Sequence, residues 1–267
     1  MQLAPLITQA QALIEQADPQ FPVQIFHCRE KQQLHRVHFF QPTLMLVLRG
    51  TKQISGPIAT DCPQGNLLLV SSGFEFPFAN LPDDFYMALV IPFVPEDFPH
   101  RTGNGNTDKI KICSAPASIL TLIQQLMSLS GSGLPASVLA SRRQEIAALL
   151  THLELDDTLR CPATPTWRNR VVNLLQTDIA KEWKLDEVCN ALATSESNLR
   201  RRLQQEDTGF REVLEDLRLT YGLGLIQTSP LPIGQVALEC GYQSASRFSE
   251  RFKKRFHTTP SELRQAL

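Results

Sequence analysis

The feature that most constrains this chain is a helix pair written twice near its C-terminus. In LDEVCNALATSESNLRRRL, Val188 and Leu192 are followed seven residues later by Leu199 and then Leu203. In IGQVALECGYQSASRFSERF, Val236 and Cys240 are followed eight residues later by Phe248 and then Phe252. The copies lie 48 residues apart, with one extra residue in the turn of the second. A short helix, a tight turn and a second helix make the pattern of a helix-turn-helix. Gly241 stands where the first helix of copy two must end with positive φ, which glycine adopts without a Cβ clash. Copy one has Ala193 there, at a cost of about 1 kcal/mol if the geometry is kept.

Sorting the second helix of each pair by face gives candidate site residues. With Leu199 and Leu203 inward, Ser197, Arg200 and Arg201 lie outside; with Phe248 and Phe252 inward, Ser246, Arg247 and Glu250 do. From a helix in the major groove, Arg reads guanine and Glu accepts from cytosine. Arg202, Lys253, Lys254 and Arg255 lie where they would meet phosphates, positioning without specifying. Taken singly, each helix reads as an ordinary surface helix with a buried side. Two copies joined by a long helix over Phe210 to Gln227 instead fit two major-groove insertions about one DNA turn apart, roughly 34 Å. Bulk charge does not decide the matter: from Thr166 onward there are 15 Lys and Arg against 13 Asp and Glu, and before it 11 against 14.

The rest of the C-terminal third also reads as helix. Trp167 to Trp183 carries a stripe of Val171, Leu174, Leu175 and Ile179. Thr259, Pro260 and Glu262 form a capping-box start for a last helix. Upstream, the two prolines of Cys161-Pro-Ala-Thr-Pro-Thr166 mark an interdomain linker at 161–166. Residues 21–98 are punctuated by Pro and Gly around short apolar stretches, VQIF, LMLVLRG, GNLLLVSSG and FYMALVIPF, which predict strands of a β-sandwich or small barrel. Arg49-Gly50 before Gln53-Ile54-Ser55 predicts a strand, a turn and a return strand. Two amphipathic helices are expected over 116–130 and 137–155, broken at Ser130-Gly-Ser-Gly133.

The segment IGQVALECGYQSASRFSERFKKRFHTTPSELR resembles the signature of the AraC/XylS transcription regulators over about 30 residues. It departs at Glu250, where Arg is common, and at His257, where Gly is common. The upstream copy resembles the first helix-turn-helix and connecting helix of that family more loosely: Ala193 replaces Gly, and Gly222 and Gly224 stand where alanine is common, loosening that helix by roughly 1 kcal/mol each. LMLVLRGTKQI followed by GNLLLVSSGFEFPF resembles the regulatory domain of one branch of the family, a cupin-like β-sandwich with trailing helices. The resemblance implies an α+β chain of two domains. Residues 1–115 form a cupin-like effector or dimerisation domain, 116–160 a helical region, and 167–267 an all-α DNA-binding domain with two helix-turn-helix motifs. It implies double-stranded DNA and RNA polymerase as partners, a small effector of unknown identity and site, and a homodimer through 116–155.

Catalytic readings fare poorly. His35 and His38 are three apart and would face opposite sides of a strand. His27 lies nearby, His100 and His152 lie outside the β segment, and no His-x-His set typical of a metal cupin is present. No Ser-His-Asp order, phosphate loop or HExxH appears. The expectation is therefore no metal, no cofactor and no catalysis; the rival is a cupin-like metalloenzyme or small-molecule-binding protein with a helical appendage. Six cysteines, Cys28, Cys62, Cys113, Cys161, Cys189 and Cys240, show no paired spacing and read as reduced thiols. Cys28 and Cys62, near predicted strands, keep open a thiol-based sensor of electrophiles or oxidants. Apolar runs such as Leu44 to Leu48 fall far short of the roughly 18–20 residues that cross a bilayer, and the start lacks a leader's basic residues and cleavage site, so a cytoplasmic protein is expected.

Overall fold

A computed structural model describes residues 3–14, 22–98, 108–159 and 165–267. Helix α1 (Leu3–Ile14) precedes nine strands: β1 (Gln24–Cys28), β2 (Gln32–Phe39), β3 (Thr43–Arg49), β4 (Thr51–Ile54), β5 (Thr60–Pro63), β6 (Asn66–Val70), β7 (Phe74–Leu81), β8 (Tyr86–Pro92) and β9 (Ile110–Ser114). They form two antiparallel sheets, ordered β1-β8-β3-β6-β9 and β2-β7-β4-β5. Helices α2 (Ala117–Met127) and α3 (Ala136–His152) follow.

The unbroken apolar run of β3 is explained by burial on both faces. Met45 and Val47 point between the sheets, among Leu68, Phe76, Phe78 and Ala88. Leu44, Leu46 and Leu48 point the other way, beneath Leu6, Ile119, Ile123, Ile146 and Leu150 of α1, α2 and α3. Strands β6 and β8 divide their residues in the same way, so the five-stranded sheet is covered by helices outside and by its partner sheet inside.

Several expectations are corrected here. The chain after β3 does not return along β3; it crosses to the other sheet, where β4 pairs with β5 and β7. Gly50 makes the crossing at φ +75, where a Cβ would lie 2.5 Å from the Leu81 carbonyl oxygen. Helix α1 and strands β2, β5 and β9 were not foreseen, because their residues are short, polar or mixed. The proposed linker lies mostly outside the described residues, as do His100 and Cys161. In β2 a bulge between Leu34 and Val37, with Arg36 at φ 50, breaks the alternation expected for the histidines. His35 and His38 therefore both meet the helical region, and among the described residues no group of three or more His, Cys, Asp or Glu is placed to hold a metal.

The C-terminal helices are α4 (Trp167–Leu175), α5 (Leu185–Ala191), α6 (Glu196–Gln204), α7 (Phe210–Thr228), α8 (Ile233–Glu239), α9 (Ala245–Phe256) and α10 (Pro260–Gln265). The stripe read as one helix to Trp183 stops at Leu175; beyond it the carbonyls of Ile179, Ala180 and Lys181 accept from Arg218 of α7. The capping box of α10 forms, Thr259 Oγ1 accepting from Glu262 N at 3.2 Å. Among the described residues no helix is long and apolar enough to cross a membrane.

The glycines of α7 differ in kind. A Cβ on Gly222 would sit 2.8 Å from the Phe248 ring and 2.9 Å from Cys240 Sγ, both fully buried, whereas a Cβ on Gly224 would meet nothing within 4 Å. Gly222 thus lets α9 close on α7. Gly222→Ala is expected to destabilise by about 1–3 kcal/mol through overpacking, while Gly224→Ala stabilises by up to about 1 kcal/mol through helix propensity. Urea unfolding of the two variants beside the parent checks both signs.

Candidate nucleic-acid interface

Helices α5–α6 and α8–α9 are the two helix-turn-helix units, attached near opposite ends of α7, whose 19 residues span about 28 Å at 1.5 Å per residue. Each second helix is started by a serine. Ser195 Oγ accepts from Asn198 N at 3.2 Å, and Ser244 Oγ from Arg247 N at 3.3 Å. Each turn needs a left-handed residue, and the chain supplies Ala193 at φ 49 and Gly241 at φ 73. Gly241 is doubly constrained, since a Cβ there would lie 2.7 Å from the Ala180 carbonyl oxygen.

The inward residues are those expected. Leu199 and Leu203 join Val171, Leu175, Val188 and Val213, and Phe248 and Phe252 join Val236, Cys240 and Leu223. Ser197, Arg200, Arg201 and Arg202 on α6 are exposed, as are Ser246, Arg247, Glu250, Lys253 and Lys254 on α9. Both helices thus present a polar face beginning at a capped N-terminus, the end by which a recognition helix enters a groove. On α6 the face is held in place: Arg200 Nε donates to Glu196 at 3.0 Å and Arg201 Nη2 to Asn198 Oδ1 at 2.9 Å.

Arg255 departs from its expected place. It is 6 % exposed, and its Nη2 donates to Glu75 of β7 at 2.8 Å while its Nη1 pairs with Asp216 of α7 at 2.9 Å. It stands three residues after Phe252 and seven after Phe248, on the face those rings share, and the sandwich lies over this end of α9. Asp216 also accepts from Arg168 of α4 at 2.8 Å, and Arg168 reaches His38 Nδ1 at 3.5 Å. Glu75 is held down to about 2, by His38 first and then by Arg255 and Arg36, against the effect of burial. Burial pushes the Asp216 carboxyl above its ordinary value and the His38 imidazole below its own. This network joins β2 and β7 of the sandwich to α4, α7 and α9.

Sequence reasoning did not single out Arg168, Asp216, Glu75 or His38 as a group, because their proximity comes from two domains. His257, which caps the C-terminus of α9 with a left-handed backbone at φ 61, stacks its ring on His35 of β2 with centroids 4.3 Å apart. Among the described residues the cysteines give no reactive site. Burial pushes the Cys28, Cys62 and Cys240 thiols to about 12 and raises those of Cys113 and Cys189, the reverse of what a thiolate sensor needs.

Comparisons with known proteins bear on this face. The profile of a family described as a helix-turn-helix domain matches residues 188–266. The chain is 27% identical over 186 residues to the HTH-type transcriptional regulator GadX of Escherichia coli strain K12, covering 67% of each. It is 35% identical over 94 residues to the urease operon transcriptional activator of Escherichia coli, a match taking in 35% of this chain and only 32% of that protein. In three dimensions it resembles ToxT of Vibrio cholerae, in its apo form with a TM-score of 0.68 at 15% identity over 92% of this chain and 97% of that one. The structure of ToxT with a bound unsaturated fatty acid gives 0.65 at 16% identity, over 92% and 95%. At these identities the structural likeness shows a shared fold: an antiparallel sandwich followed by a helical domain.

The exposed and buried cations are separable by salt. Lys253→Ala or Lys254→Ala is expected to lower the slope of log binding constant against log salt by about 0.9 each on duplex DNA, and Arg255→Ala to leave that slope unchanged. Fluorescence anisotropy over a salt series reads the difference.

Proposed function

We propose, for a chain whose C-terminal third is a helix-turn-helix domain of the AraC/XylS family, that it regulates transcription by inserting α6 and α9 into successive major grooves of double-stranded DNA. The observation that carries the reading is the pair of exposed, serine-capped helices, each with its apolar side locked into a small core and each fixed to the same connecting helix. Ser197, Arg200 and Arg201 on one, and Ser246, Arg247 and Glu250 on the other, read base edges. Arg202, Lys253 and Lys254 hold phosphates. Arg255, engaged by two carboxylates, belongs to the domain interface.

Residues 1–115 act as the regulatory domain, 116–160 as a helical region that joins two copies of the chain, and 161–166 as the linker. In this reading Leu134 and Val138, exposed at the start of α3, face the second copy. The sandwich senses a small effector; the fatty acid bound to ToxT, a protein of the same fold, supports that role. The work is binding rather than catalysis, carried out in the cytoplasm, with RNA polymerase as the further partner.

Replacing Arg201 or Arg247 by Ala is expected to cost about 1–3 kcal/mol on a DNA site selected from a random pool and to relax base preference at one position. Electrophoretic mobility shift with selected and scrambled duplexes is the measurement. Equal losses on both duplexes would remove the base-reading role.

A further inference from the structure

The two outward helix faces differ in how their side chains are held. On α6 both arginines are drawn back along the helix toward its N-terminus: Arg200 Nε donates to Glu196 at 3.0 Å, and Arg201 Nη2 donates to Asn198 Oδ1 at 2.9 Å. Asn198 is itself fastened at two further points. Its side-chain Nδ2 donates to Thr194 Oγ1 at 2.8 Å, and its backbone N–H donates to Ser195 Oγ at 3.2 Å. Thr194 follows the left-handed Ala193 of the turn, and its own N–H donates to the Cys189 carbonyl of α5 at 3.0 Å. A continuous hydrogen-bonded path thus runs from α5 through Thr194 and Asn198 to the Arg201 guanidinium. Thr194 and Asn198 are half-buried, whereas Arg201 is exposed.

On α9 this path has no counterpart. Aligning Leu199 with Phe248 and Leu203 with Phe252 puts Gln243 at the place of Thr194, Arg247 at that of Asn198 and Glu250 at that of Arg201. Among the described residues the side chains of Gln243, Arg247 and Glu250 form no hydrogen bond or ion pair; only the Arg247 backbone is engaged, by Ser244.

The chemistry of the path suits a helix that meets a polyanion. Asn198 is an uncharged acceptor, so it holds Arg201 without placing a negative charge beside the phosphates, as Glu196 does beside Arg200. One of the five guanidinium N–H groups is used, and four remain for a base edge. An unheld arginine loses rotamer freedom when it docks, and one already held loses less. The bond also limits how the guanidinium plane can turn, which favours the bidentate geometry that reads guanine. Asn198 is occupied at both ends of its amide, so it acts through Arg201 rather than by touching a base.

We propose that Asn198 is a positioning residue for base recognition: by bridging Thr194 to Arg201 it aims one guanidinium of α6 at a single base edge. The base that Arg201 meets is thereby chosen more strictly than an unheld arginine would choose it. This rests on α6 entering a major groove.

The test uses the full chain and duplexes carrying a site selected from a random pool, with each base pair varied in turn, and reads relative affinity by fluorescence anisotropy. The position read by Arg201 is the one whose preference disappears in Arg201→Ala. Asn198→Ala, which keeps the backbone N–H for Ser195, should reduce discrimination at that position by about three- to tenfold. Other positions and the salt dependence should stay as in the parent. Thr194→Val, which keeps the shape and removes the acceptor, should act in the same direction. Asn198→Asp keeps an acceptor for Arg201 and can accept from the Thr194 hydroxyl, so it should retain the discrimination while its charge weakens binding to every duplex alike. In the Arg201→Ala background, Asn198→Ala should change nothing further at that position, since the two act as a unit. A loss spread evenly over all positions, additive losses in the double variant, or no loss at all would each overturn the assignment. If Asn198→Ala fails to fold by circular dichroism, Thr194→Val and Asn198→Asp decide. A parent with no sequence preference, or an Arg201→Ala variant that loses none, sinks the base-reading role of α6 and this assignment with it. A parent whose preference Asn198→Ala leaves intact sinks only the role of Asn198.

Discussion

The close passage of α7 past Phe248, permitted by the missing Cβ of Gly222, is the constraint on which the rest of the helical domain depends. With Phe248 seated there, Phe252 and Phe256 follow one turn at a time along the same side of α9, in edge-on and tilted ring contacts with centroids 4.6 and 5.5 Å apart. That seating turns Ser246, Arg247 and Glu250 outward and brings Arg255 inward beside Asp216 of the same α7. One helix therefore fixes the exposed face of the second unit and supplies the acid that meets its buried cation. Its other end carries Gln227 against Gln32 of the sandwich.

The two helix-turn-helix units are not held alike. The apolar core of the second is continuous with the sandwich interior, whereas the first keeps a core of its own that touches the sandwich through Phe40. What ties the first unit to the sandwich beyond that ring is polar: Arg168 on α4, reaching Asp216 and His38. Continuous apolar packing resists small displacements, because interiors are close-packed and a shift opens voids. A polar bridge can exchange partners with less loss where water can enter. The second unit is accordingly packed onto the sandwich by apolar contacts, and the first is joined to it by Phe40 and the Arg168 bridge.

How much of this was legible in the sequence follows from which contacts are local. The repeat was readable because Val188, Leu199 and their counterparts meet partners within one helix pair, at spacings set by 3.6 residues per turn. Strands β3, β6 and β8 were readable because burial on both faces writes a continuous apolar run. Strand β2 was not: a bulge at Leu34 to Val37 breaks its alternation, and its polar residues Gln32, His35 and His38 have their partners in another domain. Helix α1 was passed over because its apolar face is completed only by α2 and the outer sheet face. Arg255 was misplaced although it shares the face of Phe248 and Phe252, because its charge was read with Lys253 and Lys254 and its acidic partner Glu75 lies in another domain. Lys52, buried in β4, left a faint mark: in Thr-Lys-Gln-Ile the lysine shares a face with buried Ile54, an inward cation visible to anyone who had known the strand's register.

Beside its apolar part, the interface between the halves carries a chain of charged side chains. Glu75, Arg255, Asp216 and Arg168 form an alternating chain of charges, all of them largely withdrawn from solvent except Glu75. Desolvating such groups offsets most of their mutual attraction, so the chain adds little net stability compared with aliphatic side chains of the same volume. What it adds is geometry: a guanidinium between two carboxylates accepts few orientations, so α9 and α4 are set against β2 and β7 in one register. These charges define the arrangement, while the apolar contacts beside them supply most of its hold. The charged chain alone is thus the part that a coupling energy on the order of 1–3 kcal/mol could rearrange.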